Sequence, residues 1–168
     1  MKCQNAQNPD TYGNYRETKI TQIKHHWWWK INHIFEHFSP LLGRDFELAL
    51  LEEDHYIIPD FLAVWKLLSK LREKNVVDLI SLGNYEKDLQ LKKMNKAQLI
   101  DWWSSKHNLG IVIDKKFWTK IKQFSEEFCN YDDYNWDWTL QYLMKKLIKR
   151  PVKTLMPFFP RYILIYDI

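Results

Sequence analysis

An apolar run, Phe46-Glu47-Leu48-Ala49-Leu50-Leu51, breaks off in three successive acids, Glu52-Glu53-Asp54, and then in His55-Tyr56. A run of this length bounded by charge reads as a buried strand, and the acids then stand at the carboxyl edge of a sheet. That edge is where open α/β sheets bind ligands. Three clustered carboxylates repel one another, and a hard divalent cation coordinated through oxygen relieves that repulsion. A metal held there could in turn hold a diphosphate. The competing reading is a solvated acidic turn with no ligand.

The strand has neighbours of alternating type. Glu17 to Phe38 reads as a long helix, and Pro59 opens an amphipathic helix running through Leu71. Val76 to Leu82 and Leu109 to Ile113 read as strands, Lys115 to Phe128 and Tyr134 to Ile148 as helices, the last stopping before Pro151. Val152 to Met156 and Tyr162 to Ile165 complete the series as strands. Such alternation predicts a mixed or parallel sheet covered on both faces, the α/β class. Loop-like composition is confined to the polar start through Gly13, the Ser39-Pro40 to Gly43 turn, and Asn84 to Lys96.

At 168 residues, 46% of them hydrophobic, one domain with a substantial core is expected. The net charge of +4 comes from lysines interrupted by apolar residues at helical spacing, which are solvated helix faces. Nucleic acid is not an expected partner, because a denser basic stripe would be needed. Cys3 and Cys129 allow at most one internal disulfide, and no zinc-type spacing is present. No apolar stretch approaches the roughly 20 residues that cross a bilayer, and the start lacks a signal-peptide core. Neither a transmembrane nor a targeting segment is therefore expected in this chain.

Two further constellations bear on chemistry. In His25-His26-Trp27-Trp28-Trp29-Lys30, helical geometry puts Lys24, Trp27, Trp28 and Ile31 on one side and His25 and Trp29 on another. One reading has the indoles anchoring this helix on the sheet with histidines at the rim. The other has Gln22, Lys24, His25 and His26 facing a nucleotide. The second constellation, Cys129 to Trp138, packs three acids and four aromatics into ten residues. Asp132 or Asp133 suits a helix N-cap. Asp137, between Trp136 and Trp138, is a carboxylate beside indole faces that can stack on a sugar, and desolvation there favours a general base.

Taken in order, His25 to Lys30, Leu51 to Tyr56, Ser81-Leu82-Gly83, His107-Asn108-Leu109-Gly110 and Tyr131 to Leu143 strongly resemble the N-acetylglucosaminyltransferase II family, over Cys3 to Arg161. The resemblance implies a partial catalytic domain of GT-A type α/β fold over 15–161, a polar lead-in at 1–14 and a divergent end at 162–168. It implies the Golgi lumen and a family that is membrane-anchored. It also implies Mn²⁺, UDP-N-acetylglucosamine as donor, and an N-glycan acceptor whose α-1,6-linked mannose receives GlcNAc in β-1,2 linkage. The reaction that the resemblance implies is a single inverting displacement.

By the same resemblance Asp137 is the base and Asp54 a metal ligand. Gln22, Ile23, Lys24, His25 and His26 fall on the donor-binding stretch, and Tyr134, Asn135 and Trp136 lie by the acceptor. Three departures stand out. The family's first nucleotide-binding strands and its anchor lie upstream of Met1. Leu164 occupies the place of a histidine that completes the metal shell, and leucine cannot ligate. The partners of the cysteines matching Cys3 and Cys129 are missing. The alternative expectation is therefore a catalytically inactive truncated remnant that binds UDP or glycan weakly.

Overall fold

The computed structural model describes residues 7–9, 13, 15, 17–38, 41, 46–85, 91–132, 134–146, 148 and 150–165. Cys3, Asp133 and, apart from Leu41, the Ser39-Pro40 to Gly43 turn lie outside them. The chain forms two compact units, residues 1–46 with 118–149 and residues 47–117 with 150–168.

The first unit is helical. Helix α1 (Thr18–His33) continues through a π-helical turn, Ile34–Phe38. Three more helices follow from the second crossing of the chain: the end of α4 (Lys115–Lys122), α5 (Ser125–Tyr131) and α6 (Trp136–Lys146). The expected helix Lys115 to Phe128 is thus two, parted by a turn at Gln123 and Phe124. Flat rings knit the unit together: Trp27 stacks on Trp136 at 4.6 Å between centroids, and Trp28 meets Phe128 at 4.3 Å and Trp118 at 4.7 Å. The indoles of α1 therefore anchor helix to helix within this unit. Large rings lose little conformational entropy for the area they bury, which suits them to a unit assembled from short helices.

Lys24 is the least expected member of that core, at 0% exposure. A buried ammonium must be compensated. Its Nζ donates to the carbonyl of Asp132 and lies 5.0 Å from the centre of the Phe128 ring. The Asp132 carboxylate accepts from Tyr134 N at 2.9 Å, closing a turn ahead of α6, so it orders the approach to the helix and not its first amides. Cys129 is a free thiol, pushed above its ordinary range by burial, with Lys24 partly opposing the shift.

The second unit is a mixed sheet. Strands β1 (Glu47–Ala49), β5 (Ile111–Asp114), β3 (Leu79–Ser81), β6 (Lys153–Pro157) and β4 (Ala97–Asp101) lie in that spatial order. Only β3 and β6 are parallel, in register Ile80 to Leu155. β1 is a half-buried edge strand pairing Leu48 with Ile113, shorter and more exposed than the buried strand expected over Phe46 to Leu51. At the other edge β4 alternates exposed and half-buried residues, so its outer face is not covered as the α/β pattern predicts. A separate ribbon pairs β2 (His55–Ile57) with β7 (Tyr162–Leu164). A one-turn helix, α3 (Ser104–His107), links β4 to β5.

Helix α2 (Phe61–Glu73) turns Phe61, Leu68 and Arg72 inward at helical spacing. The first two join Ile80, Leu82, Leu109, Val112, Leu155 and Tyr162 in one core cluster. Arg72, 9% exposed, reaches Glu47 and Asp114 at 3.0 Å each and donates to the Asp78 carbonyl. Asp78 in turn takes two bonds from Arg150, at 2.6 and 2.7 Å, and one from Lys153 N at 2.9 Å. Among the described residues no helix is long and apolar enough to cross a membrane.

Candidate functional site

The acidic loop joins β1 to β2, and neighbouring backbone holds both its ends. Leu50 N donates to the Ile111 carbonyl at 2.8 Å, and Ile165 N to the Asp54 carbonyl at 3.0 Å. Between them the phenol of Tyr162 clasps residue 52, receiving a bond from its N–H and donating to its carbonyl at 3.0 Å. Burial pushes the Tyr162 phenol up to about 12, and the negative Glu52, Asp54 and Glu53 add to the shift against the opposing backbone bond. At pH 7 the hydroxyl stays a neutral donor.

Tyr162 has room only because two glycines face it. A Cβ on Gly83 would come 2.4 Å from the Tyr162 carbonyl oxygen, and one on Gly110, whose φ is +58°, would come 3.1 Å from the ring. These glycines belong to the Ser81-Leu82-Gly83 and His107 to Gly110 motifs. Behind them His107 is buried, its Nδ1 accepting from Trp103 N at 2.9 Å; desolvation and then Lys106 lower its pKa to about 4.

His55 lies flat on the Tyr162 ring, 4.4 Å between centroids and 7° from parallel. Its side chain is 2% exposed, whereas that of Asp54 is 48% exposed. The His55 Nδ1 comes within 2.6 Å of Asp54 Oδ1, although neither ring nitrogen has a hydrogen-bond partner of good geometry. Ligating atoms of Glu52, Asp54 and His55 all lie within 4.8 Å of one another. Two carboxylates and an imidazole are a donor set for a divalent cation, and the buried Nε2 of His55, left without a partner, gives that set a structural reason to be filled. Of the expected acidic triplet, Glu52 and Asp54 enter the cluster and Glu53 does not. His55 and Tyr162 are the members that sequence reasoning missed. His55 stood next to Asp54 throughout, while nothing local marked Tyr162, more than one hundred residues away.

The register of the ribbon sets Leu164 directly opposite His55. The position to which the resemblance assigns a metal-shell histidine therefore lies across the ribbon from His55.

The other expected site residues are in the helical unit. On α1, Gln22, Ile23 and His26 are exposed, His25 is half-buried and Lys24 points into the core. His26 stacks on Trp29 at 5.8 Å. Asp137 sits half-buried in the first turn of α6, with the ring of Trp136 engaged by Trp27 and Trp138 45% exposed. Tyr134 donates its hydroxyl to the Tyr15 carbonyl. The exposed Asn135 accepts from Thr139 N at 3.1 Å and Thr139 Oγ1 at 2.7 Å. The Trp27–Trp136 stack brings the α1 segment and the start of α6 together, while Asp54 belongs to the sheet unit.

Comparison with known proteins converges. The chain is 42% identical over 164 residues to the human alpha-1,6-mannosyl-glycoprotein 2-beta-N-acetylglucosaminyltransferase, and 40% identical to that of Sus scrofa. It is 31% identical over 148 residues to the protein of the same name from Arabidopsis thaliana. Each animal match takes in 96% of this chain and 37% of the relative, so the chain spans little more than a third of the length of the curated relatives it matches. A family model described as N-acetylglucosaminyltransferase II matches residues 1–167. With a mixed α/β fold, an acidic loop fit for a cation and this coverage, the chain belongs to the N-acetylglucosaminyltransferase II family of glycosyltransferases.

Proposed function

We propose that this chain carries part of the catalytic domain of an inverting, Mn²⁺-dependent enzyme of GT-A type, acting in the Golgi lumen. It transfers GlcNAc from UDP-GlcNAc to the 2-hydroxyl of the α-1,6-linked mannose of N-glycans. The observation that carries this reading is the convergence of Glu52, Asp54 and His55 in a chain of this family. When bound there, a divalent cation neutralises charge gathering on the departing diphosphate. Asp54 holds the cation. The Gln22 to His26 segment receives the donor, with Gln22 and His26 offered to solvent and Lys24 bracing the segment from inside.

Asp137 takes the proton from the mannose 2-hydroxyl as that oxygen bonds to the anomeric carbon and UDP leaves with the electrons of the broken bond. Tyr134, Asn135 and Trp136 line the acceptor side of this base. Thermal unfolding with UDP, with and without Mn²⁺, tests the reading. Melting should rise only when both are present, by the equivalent of about 2.7 kcal/mol at one hundred times the dissociation constant. Equal melting under all conditions would overturn the proposal, and Asp54→Ala should erase the rise. In a version of full family length, Asp137→Asn should lower turnover by about 10²- to 10⁴-fold with donor affinity nearly intact. Parallel loss of both would count against the base.

A second reading, binding of UDP or glycan without turnover, is favoured by Leu164, whose place opposite His55 offers no ligand atom. Leu164→His separates the two. A gain in Mn²⁺-dependent UDP affinity with transfer appearing only in the variant supports the silent form; transfer by the unaltered chain excludes it.

A further inference from the structure

We propose that His55 is the nitrogen ligand of the divalent-cation site in this chain, acting with the carboxylates of Glu52 and Asp54. The inference rests on the reading that the acidic loop binds a cation, and it makes His55 a ligand of that cation and not only a neighbour of the acids. Three observations carry it. First, the imidazole is 2% exposed, its Nδ1 meets the Asp54 carboxylate at 2.6 Å outside hydrogen-bond geometry, and its Nε2 has no partner. A buried polar atom left in that state costs roughly 1–3 kcal/mol, which ligation removes.

Second, the ring cannot easily turn away. It is held parallel to Tyr162 at 4.4 Å, and Tyr162 is itself fixed by its two bonds to the peptide groups of Glu52. The same aromatic residue thus positions the imidazole and the loop that bears one of the carboxylates. Third, the residue across the ribbon from His55 is Leu164, which has no donor atom. A nitrogen ligand from this pair of strands must come from the β2 side.

An imidazole beside two carboxylates also alters metal choice. Oxygen ligands suit Mg²⁺, Ca²⁺ and Mn²⁺ alike, whereas a nitrogen donor favours transition metals. The site should hold Mn²⁺ in preference to Mg²⁺ and Ca²⁺.

The test is electron paramagnetic resonance of the whole chain titrated with Mn²⁺, with spin-echo modulation read on the bound ion. Nitrogen-14 modulation should appear in the unaltered protein and change on labelling histidine with nitrogen-15. In His55→Gln, checked for folding by circular dichroism, Mn²⁺ should bind about ten-fold or more weakly without that modulation, and Mg²⁺ should compete at a lower excess. Mn²⁺ bound without nitrogen modulation, or undiminished in His55→Gln, would overturn the ligand assignment while leaving the cation-binding loop standing. Failure of the unaltered chain to bind Mn²⁺ at millimolar concentration would overturn both. Should the variant not fold, the nitrogen modulation of the unaltered protein decides the assignment by itself.

Discussion

Each unit buries a cation, and the two do so by different means. In the helical unit Lys24 gives its ammonium to a main-chain carbonyl, that of Asp132, and rests over the face of Phe128. In the sheet unit Arg72 is matched by two carboxylates, Glu47 and Asp114. Guanidinium presents a planar fork that suits paired acids, whereas an ammonium is a compact point charge that main-chain dipoles and ring faces can help to seat. The surroundings follow suit. Stacked indoles and phenyl rings dominate the helices, while the sheet unit threads Arg72, Asp78 and Arg150 among its strands. A unit held by rings should respond to lost volume, and one held by charge to lost compensation.

The largest expected effect is on the rings. Trp118, 1% exposed and packed on Trp28, should cost about 3–5 kcal/mol when replaced by alanine, and the loss should be nearly independent of pH. Chemical denaturation at pH 7 and pH 5, read against the unaltered protein at each pH, measures it. Next comes Arg72→Met, which keeps most of the apolar stem but leaves Glu47 and Asp114 facing each other, at a cost of about 3 kcal/mol. Replacing the two acids as well, in Glu47→Gln with Asp114→Asn, should recover much of that loss. A loss that the acid replacements leave unchanged would mean that Arg72 contributes packing alone, and the contrast between the units would fail.

The smallest effect is a pH dependence within the sheet unit. The His107 pKa is lowered from 6.5 to about 4, so the unfolded chain binds the proton more readily than the folded one. Its contribution is complete above pH 6.5 and is lost as pH falls towards 4, amounting to about 2–3 kcal/mol. Protonation also removes the acceptor that receives Trp103 N. His107→Gln should flatten the stability profile between those two values, which a denaturation series across pH will reveal.

Sequence periodicity anticipated most of the elements but not their sizes. Strong apolar blocks such as Val76 to Leu82 and Leu109 to Ile113 cover strand β3 and all but the last residue of β5, because burial on both faces leaves an unmistakable run. The edges were illegible. Ala97-Gln98-Leu99-Ile100-Asp101 is strand β4 although three of its five residues are exposed, and His55-Tyr56-Ile57 reads as the tail of an acidic turn. The break between α4 and α5 has no glycine or proline to mark it. At the site, Asp54 and its acidic neighbours could be found locally, since their oddity is composition. The Tyr162 clasp on Glu52 and the pairing of Leu164 with His55 are matters of register, and register between distant strands leaves no trace in a single chain.

The two bonds from the Tyr162 phenol to the peptide groups of Glu52 have a consequence for ion binding. A claw of carboxylates on a slack loop would close around ions of many radii and lose entropy each time. Clamped at its root, this loop is preorganised, so under the proposed reading a cation would find its carboxylates in place without that ordering cost.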